Sequence, residues 1–184
     1  EIYDEFVDKL VSRTQALTIG PGSDPGAYLG PVITDAARER VLNAVIGAEA
    51  EGAIVRCGGA PTNPEIESGN YLHPLIVENV RTDMKIWREE VFGPLLCVIR
   101  SESFEQSLEL LNDCDYGLSA SVFTRSLDKA MAFADKAQAG MVRINGETAG
   151  VEPQAPFGGM KASSSFSREQ GLAARDFYTQ IKTI

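Results

Sequence analysis

Between Leu95 and Asn145 the chain alternates short apolar runs with amphipathic stretches, and this alternation limits its fold more than any other feature. Leu95-Leu-Cys-Val-Ile99 carries no charge, which suits a strand buried on both faces. Ser103 with Gln106 forms a capping box for a helix reaching Asn112. Leu118 to Thr124 reads as a second strand. Ser126 caps a second helix, which reaches Ala139 and stops at Gly140, and Met141 to Asn145 reads as a third, buried strand. Strand, helix, strand, helix, strand in that order predicts α/β architecture with parallel pairing, because parallel neighbours need a crossover between them.

The flanking sequence extends this pattern. Ile2 to Leu17 predicts a helix with Ile2, Phe6, Leu10 and Leu17 on one face and Val7 and Val11 beside it. Asp4, Glu5 and Asp8 sit in its first turns, where the helix dipole favours negative charge. Ile19-Gly-Pro-Gly-Ser-Asp-Pro-Gly26 is a connector, and Thr34 is the N-cap of a second helix reaching Glu51, with Gly52 as its stop. Ala53 to Cys57 and Tyr71 to Val80 read as extended runs. Gly146 to Ser167 is a long connector of the kind that carries function. Ser167 and Gln170 open a short helix. Phe177 to Ile184 alternates apolar and polar residues as a half-exposed strand does, and such a strand calls for a partner edge in another subunit or domain.

Composition removes several classes of function. The 184 residues carry a formal net charge of −9 with no basic run to offset it, so neither a phosphate backbone nor an anionic membrane surface is an expected partner. No apolar stretch approaches the ~20 residues that a membrane helix needs. Cys57, Cys97 and Cys114 are widely spaced, and His73 is the only histidine, so no metal site and no disulfide framework is expected. A reducing, cytoplasmic compartment is the expectation. The chain begins Glu1-Ile2-Tyr3 without Met, as a piece of a longer protein would.

Three segments stand out chemically. Arg88-Glu-Glu-Val-Phe-Gly-Pro94 places two carboxylates before an aromatic and a Gly-Pro turn. It reads either as a solvated helix end or as a turn that fixes one carboxylate to accept hydrogen bonds from a diol such as a ribose. Asn112-Asp-Cys-Asp-Tyr-Gly-Leu-Ser-Ala120 reads as structural, a helix end turning into a strand. The third runs from Asn145 through Phe157-Gly-Gly-Met-Lys161 to Arg168-Glu-Gln-Gly171, and its paired glycines allow close backbone approach. Neither GxGxxG nor a GxxxxGK[ST] phosphate loop is present.

Together these segments resemble the aldehyde dehydrogenase superfamily. Glu89-Glu-Val-Phe-Gly-Pro94 is similar to its Glu-Glu-x-Phe-Gly-Pro signature. Asn112, Tyr116-Gly-Leu-Ser-Ala120, Ala139-Gly140, Asn145, Pro156-Phe-Gly-Gly-x-Lys161 and Arg168-Glu169-x-Gly171 follow in the family's order, as do Gly30-Pro31 and the stretch from Leu75 to Met84. The pattern departs at Ser163-Ser-Ser-Phe-Ser167, where many members have Ser-Gly-x-Gly, and this bears on the geometry around Glu169.

The resemblance implies a three-layer, parallel-sheet catalytic domain truncated at its N-terminal side (residues 1–175), followed by an oligomerisation strand (residues 176–184). It implies an NAD- or NADP-dependent oxidation of a small aldehyde through a cysteine thioester. The nucleophile and general base would lie upstream of Glu1, leaving the isolated chain inactive. Glu90 would bind the nicotinamide ribose and Phe92 would lie near the ring. Phe157, Gly150 and Val151 would line the substrate path. Glu169 would relay protons, although it also reads as a capping or interface carboxylate. The segment from Gly150 to Gly171 looks like the 2-oxoglutarate semialdehyde dehydrogenase branch, whose substrate carries a carboxylate, and Arg143 is the nearest cation for it. A homo-oligomer is implied. Two alternatives stay open: an acylating relative in which coenzyme A resolves the thioester, and a non-catalytic oligomerisation or interaction module.

Overall fold

The computed structural model describes residues 2–184, and they form two compact units that divide between Arg100 and Ser101. The first holds α1 (Tyr3–Gln15), α2 (Asp35–Ala50), β1 (Ile54–Gly59), α3 (Pro64–Glu67), β2 (His73–Glu78), α4 (Lys85–Arg88) and β3 (Leu95–Val98). The second holds α5 (Phe104–Asn112), β4 (Tyr116–Gly117), β5 (Ser119–Val122), α6 (Leu127–Lys136), β6 (Met141–Ile144), β7 (Met160–Lys161) and α7 (Ala174–Tyr178).

In the first unit the sheet order is β1-β2-β3, with β1 antiparallel and β3 parallel to β2. The parallel pair is joined by a crossover containing α4, as parallel pairing demands. Thr34 caps α2 as its sequence predicts, its Oγ1 accepting from the Ala37 amide at 3.1 Å. Ala37, Val41, Val45 and Ala48 then form one buried stripe of α2. Val41 and Val45 pack with Leu72 and Leu75, while Ala48 packs with Val77, Val80, Met84 and Ile86. Each fully buried aliphatic side chain of this kind contributes about 1.5–3 kcal/mol relative to an exposed one.

Two expectations for this unit are corrected. α1 buries Val7 and Thr14, while Ile2 and Phe6 are exposed. The helix therefore presents the neighbouring stripe, because Val7 and Thr14 lie on the side that faces β1 and β2. β3 is not buried on both faces: Leu95 and Cys97 pack against the core, whereas Leu96, on the opposite face, is half-exposed.

The second unit contains the anticipated β-α-β crossover. β5 and β6 are parallel in the register Ser119↔Met141 to Val122↔Ile144, joined by α6. Ser103 and Ser126 cap α5 and α6, accepting from the Gln106 and Lys129 amides at 3.0 and 3.3 Å. The return arm of the capping box is displaced by one residue, since Gln106 Oε1 accepts from Glu102 N. Leu108, Ala120, Phe133, Ala137 and Ala139 form the core. β6, expected to be buried, is only partly so, and it carries Arg143. The Asn112 side chain closes the far end of α6, donating to Lys136 O at 2.9 Å and accepting from Gln138 N at 2.8 Å. The short antiparallel pair β4–β7 was not legible as strands.

The strand expected over Phe177 to Ile184 is not formed: residues 179–184 carry no regular secondary structure. Phe177 and Tyr178 belong to α7, preceded by a 3-10 turn at Gly171–Ala173 rather than by a helix capped at Ser167. Thr179 then leaves the helix in extended backbone, and Ile181 and Ile184 are fully exposed. Among the described residues no helix is long and apolar enough to cross a membrane.

On the first unit, Arg56 of β1 pairs with Glu78 of β2 and reaches Asp8 of α1 at 3.0 Å. Burial alone would raise the Glu78 carboxyl, but hydrogen bonds from Arg56 and Tyr3 outweigh it and hold the carboxyl below its ordinary value. Burial and the same Glu78 contact push the Tyr3 phenol up to about 12. A depressed folded value means that the stabilisation is complete above the ordinary glutamate value of ~4.3 and is lost as pH falls through the folded value. Arg56→Met is therefore expected to lower the melting temperature at pH 7, with the difference from the parent shrinking below about pH 4. Thermal unfolding from pH 3 to 8 checks this, and a difference independent of pH would contradict it.

Candidate functional site

Two surfaces bring the sequence-selected residues into defined positions, one in each unit. On the first, α4 ends at Arg88 and the chain runs through Glu89-Glu90 into the Gly93-Pro94 turn before β3. Met84 and Lys85 start this short helix, and Ile86 anchors it in the core. Glu90 is exposed and lines a groove of about 300 Å³, together with Arg40, Asn43, Gly47, Lys85 and Glu89. Lys85 pairs with Glu89 at 3.5 Å across one helical turn.

The turn after Glu90 is held from behind. Arg40 of α2 donates through Nε to Val91 O at 2.9 Å and through Nη2 to Phe92 O at 3.4 Å. Phe92 has φ +52 and is 77% exposed, an uncommon state for a bulky residue that persists only where the surroundings impose it. Gly93 leaves room for α2: a Cβ there would stand 2.3 Å from Val41 Cγ2. Pro94 O accepts from Leu75 N at 2.8 Å and ties the turn to the sheet. The result is an exposed carboxylate and an exposed aromatic ring two residues apart on a braced turn. A carboxylate of this kind can accept from two vicinal hydroxyls, and a flat apolar ring can cover a heteroaromatic face, so the pair suits a ribosylated ring such as a nicotinamide nucleotide.

On the second unit the long connector folds back over β4 and the end of α5. Asn145 leaves β6 with φ +55, and its side-chain amide pairs with Thr124 N and Thr124 O at 2.8 and 2.9 Å. Arg143 Nη2 donates to Gly150 O at 2.6 Å, so the cation considered for a substrate carboxylate shapes the Gly150–Val151 loop in this structure. Gly150 is exposed, with φ +78, and Val151 is partly buried. Phe157 is partly buried, and its carbonyl accepts from Glu169 N at 3.1 Å, which joins these two selected residues through the backbone. Glu169 itself is exposed. Ser163 Oγ accepts from Gly117 N at 3.0 Å and Ser164 Oγ from Gly159 N at 2.7 Å. The serines that depart from the common motif thus hold the loop on which Glu169 sits.

The cysteines fall outside both surfaces. Burial pushes the Cys97 thiol up to about 11 and also raises Cys57, so both are thiols at neutral pH, and a thiol is a poor nucleophile. Cys114 Sγ donates to Tyr116 O at 3.1 Å. Among the described residues no group of three or more His, Cys, Asp or Glu is arranged to hold a metal ion. Sequence reasoning missed Arg40, which lies 51 residues before Val91, and the Lys161 ammonium, which reaches Asn112 O and Cys114 O. Lys161 was visible only as a motif letter.

Comparison with known proteins identifies the family. The model of the aldehyde dehydrogenase family matches residues 1–184. Alpha-ketoglutaric semialdehyde dehydrogenase of Bacillus subtilis is 45% identical over 184 residues, which is all of this chain and 38% of that protein. Alpha-ketoglutarate semialdehyde dehydrogenase of Haloferax volcanii is 44% identical over 186 residues, with the same coverage. The crystal structure of HpcC from Thermus thermophilus superposes with a TM-score of 0.92 at 40% identity, covering all of this chain and 36% of that one. Betaine aldehyde dehydrogenase of Staphylococcus aureus in complex with NAD+ superposes with a TM-score of 0.90 at 34% identity over 96% of this chain and 35% of that one. The chain thus spans little more than a third of the length of the relatives it matches. A family match over every residue, together with an α/β fold shared with solved members at 34–40% identity, establishes that this chain belongs to the aldehyde dehydrogenase family.

Proposed function

We propose that the protein carrying this chain oxidises an aldehyde to a carboxylate with NAD or NADP, and that its substrate is 2-oxoglutarate semialdehyde. The observation that carries the reading is the 45% identity, over every residue of the chain, to an alpha-ketoglutaric semialdehyde dehydrogenase. The braced turn at Glu90 supports the cofactor assignment. Glu90 accepts the hydroxyls of the nicotinamide ribose, Phe92 packs beside the ring, and Arg40 holds the turn that carries both. When bound, the nicotinamide supplies the acceptor for the hydride. These residues limit the positions that the ring can take, and misplacement by about 1 Å at such a step can cost two orders of magnitude in rate.

Phe157, Gly150 and Val151 line the path of the aldehyde, and Glu169 passes protons toward the base. The attacking thiol is none of Cys57, Cys97 or Cys114, so the 184 residues alone carry out no covalent step. Residues 1–175 form the C-terminal part of a catalytic domain. Residues 176–184 meet a second copy of the protein, and the exposure of Ile181 and Ile184 supports this. The compartment is the cytoplasm.

Three outcomes test the reading. The protein as made from its gene should oxidise 2,5-dioxopentanoate with a kcat/KM at least about tenfold above that for propanal, without added thiol. Equal efficiency on the two aldehydes would remove the substrate assignment, and dependence on coenzyme A would indicate an acylating enzyme. Glu90→Gln should lower hydride transfer or cofactor affinity by about tenfold or more. An unchanged deuterium isotope effect with [1-²H]aldehyde, together with unchanged cofactor binding, would contradict this. The chain of residues 1–184 by itself should produce no aldehyde-dependent NADH above a buffer control.

A further inference from the structure

Lys161 is the least expected feature of the second unit. It lies in β7, opposite Tyr116 of β4, yet its backbone has φ +53. A non-glycine residue in the left-handed region persists only where its surroundings impose that conformation. Here the side chain turns back so that Nζ donates to Asn112 O at 2.6 Å and to Cys114 O at 2.9 Å. These carbonyls belong to the last residue of α5 and to the turn after it, where main-chain oxygens lack helical partners and the dipole favours a cation. Hydrogen bonds from an ammonium are roughly twice as strong as neutral ones, and this ammonium is partly withdrawn from water.

The surrounding bonds transmit that grip along the loop. Ala162 N donates to Asp115 O at 2.9 Å, and Ser163 Oγ takes Gly117 N. Gly158 and Gly159 are buried, and Gly159 N is held by Ser164 Oγ, so the stretch between Lys161 and Phe157 has little freedom. Phe157 O in turn accepts Glu169 N. The path from the ammonium to the backbone of Phe157 and Glu169 is therefore short and held by hydrogen bonds along it.

We propose that Lys161 is a positioning residue for the aldehyde: by fastening β7 to the end of α5 it sets where Phe157 stands and, through the Phe157 carbonyl, where Glu169 stands. The proposal rests on the reading that Phe157 lines the aldehyde path. It assigns Lys161 no contact with substrate or cofactor. Its signature is selectivity, because an error in the Phe157 loop alters recognition of the aldehyde and leaves cofactor binding at the Glu90 turn alone.

The experiment compares Lys161→Met, which keeps the stem and removes the charge, with Lys161→Arg, which keeps the charge, in the protein as made from its gene. Lys161→Met should raise the aldehyde KM about tenfold and lower kcat about threefold or more while the cofactor KM stays within about twofold, and Lys161→Arg should recover the aldehyde KM to within about threefold. Amide exchange should accelerate in peptides covering residues 157–169 of Lys161→Met and stay unchanged in those covering 127–136. An unchanged aldehyde KM overturns the proposal. So do aldehyde and cofactor constants that rise together with faster exchange throughout residues 101–184, since that pattern is general loosening. If the unaltered protein shows no NAD(P)-linked aldehyde oxidation, the functional reading fails, and the exchange data still judge the clamp: unchanged exchange at 157–169 overturns it.

Discussion

The second unit depends on one backbone approach that no side chain could permit. A Cβ on Gly140 would lie 1.9 Å from Gly158 O, and one on Gly117 would lie 2.1 Å from Gln138 O. The chain leaving α6 therefore meets the loop that carries Phe157 main chain to main chain at Gly158, and it meets β4 at Gly117, whose carbonyl accepts from Gly140 N at 3.0 Å. Adding even a methyl group to such a contact forces backbone to move, which typically costs about 1–3 kcal/mol. The β4–β7 pair, the serine hydroxyls on Gly117 and Gly159 and the Lys161 ammonium all assemble around this approach.

The first unit solves a similar problem by other means. Its exposed turn must also be held still, but here a guanidinium on α2 reaches across to two carbonyls. The fork of Arg40 restrains the two peptide groups on either side of the Phe92 Cα, which a single-point donor could not do equally well. The core beneath, with Val41 in contact range of Gly93 and Ile86 under α4, gives the turn a rigid seat. In both units the backbone that carries the proposed functional side chains is held by hydrogen bonds, while Glu90, Phe92 and Glu169 are exposed and Phe157 is partly buried, as suits a preorganised site.

Sequence revealed those parts of the structure that depend on local chemistry. Thr34, Ser103 and Ser126 all cap the helices that they were expected to cap, because a hydroxyl at a helix start acts on an amide three residues away. The crossover between β5 and β6 was legible from alternation and length. Periodicity could not choose between adjacent stripes of α1, since Phe6 and Val7 are both apolar and only packing decides which is buried. Nor could it show that β3 has one strand neighbour, or that Phe177 and Tyr178 end a helix. At the sites, Glu90 and Phe92 could be read from their motif, but the Arg40 and Lys161 bonds span 51 and 49 residues, and no local pattern records them.

The Asn112 amide has a consequence of its own. One side chain offers an acceptor to Gln138 N and a donor to Lys136 O, so it behaves like an extra peptide group inserted beside the end of α6. Changing it to aspartate replaces one atom and preserves the shape almost perfectly. Yet it would turn the donor into a charged oxygen facing a carbonyl oxygen. A half-buried asparagine between a helix and a polar turn looks like a permissive position for inherited variation, but it tolerates neither the nearest isostere nor the slow chemical ageing that produces the same residue.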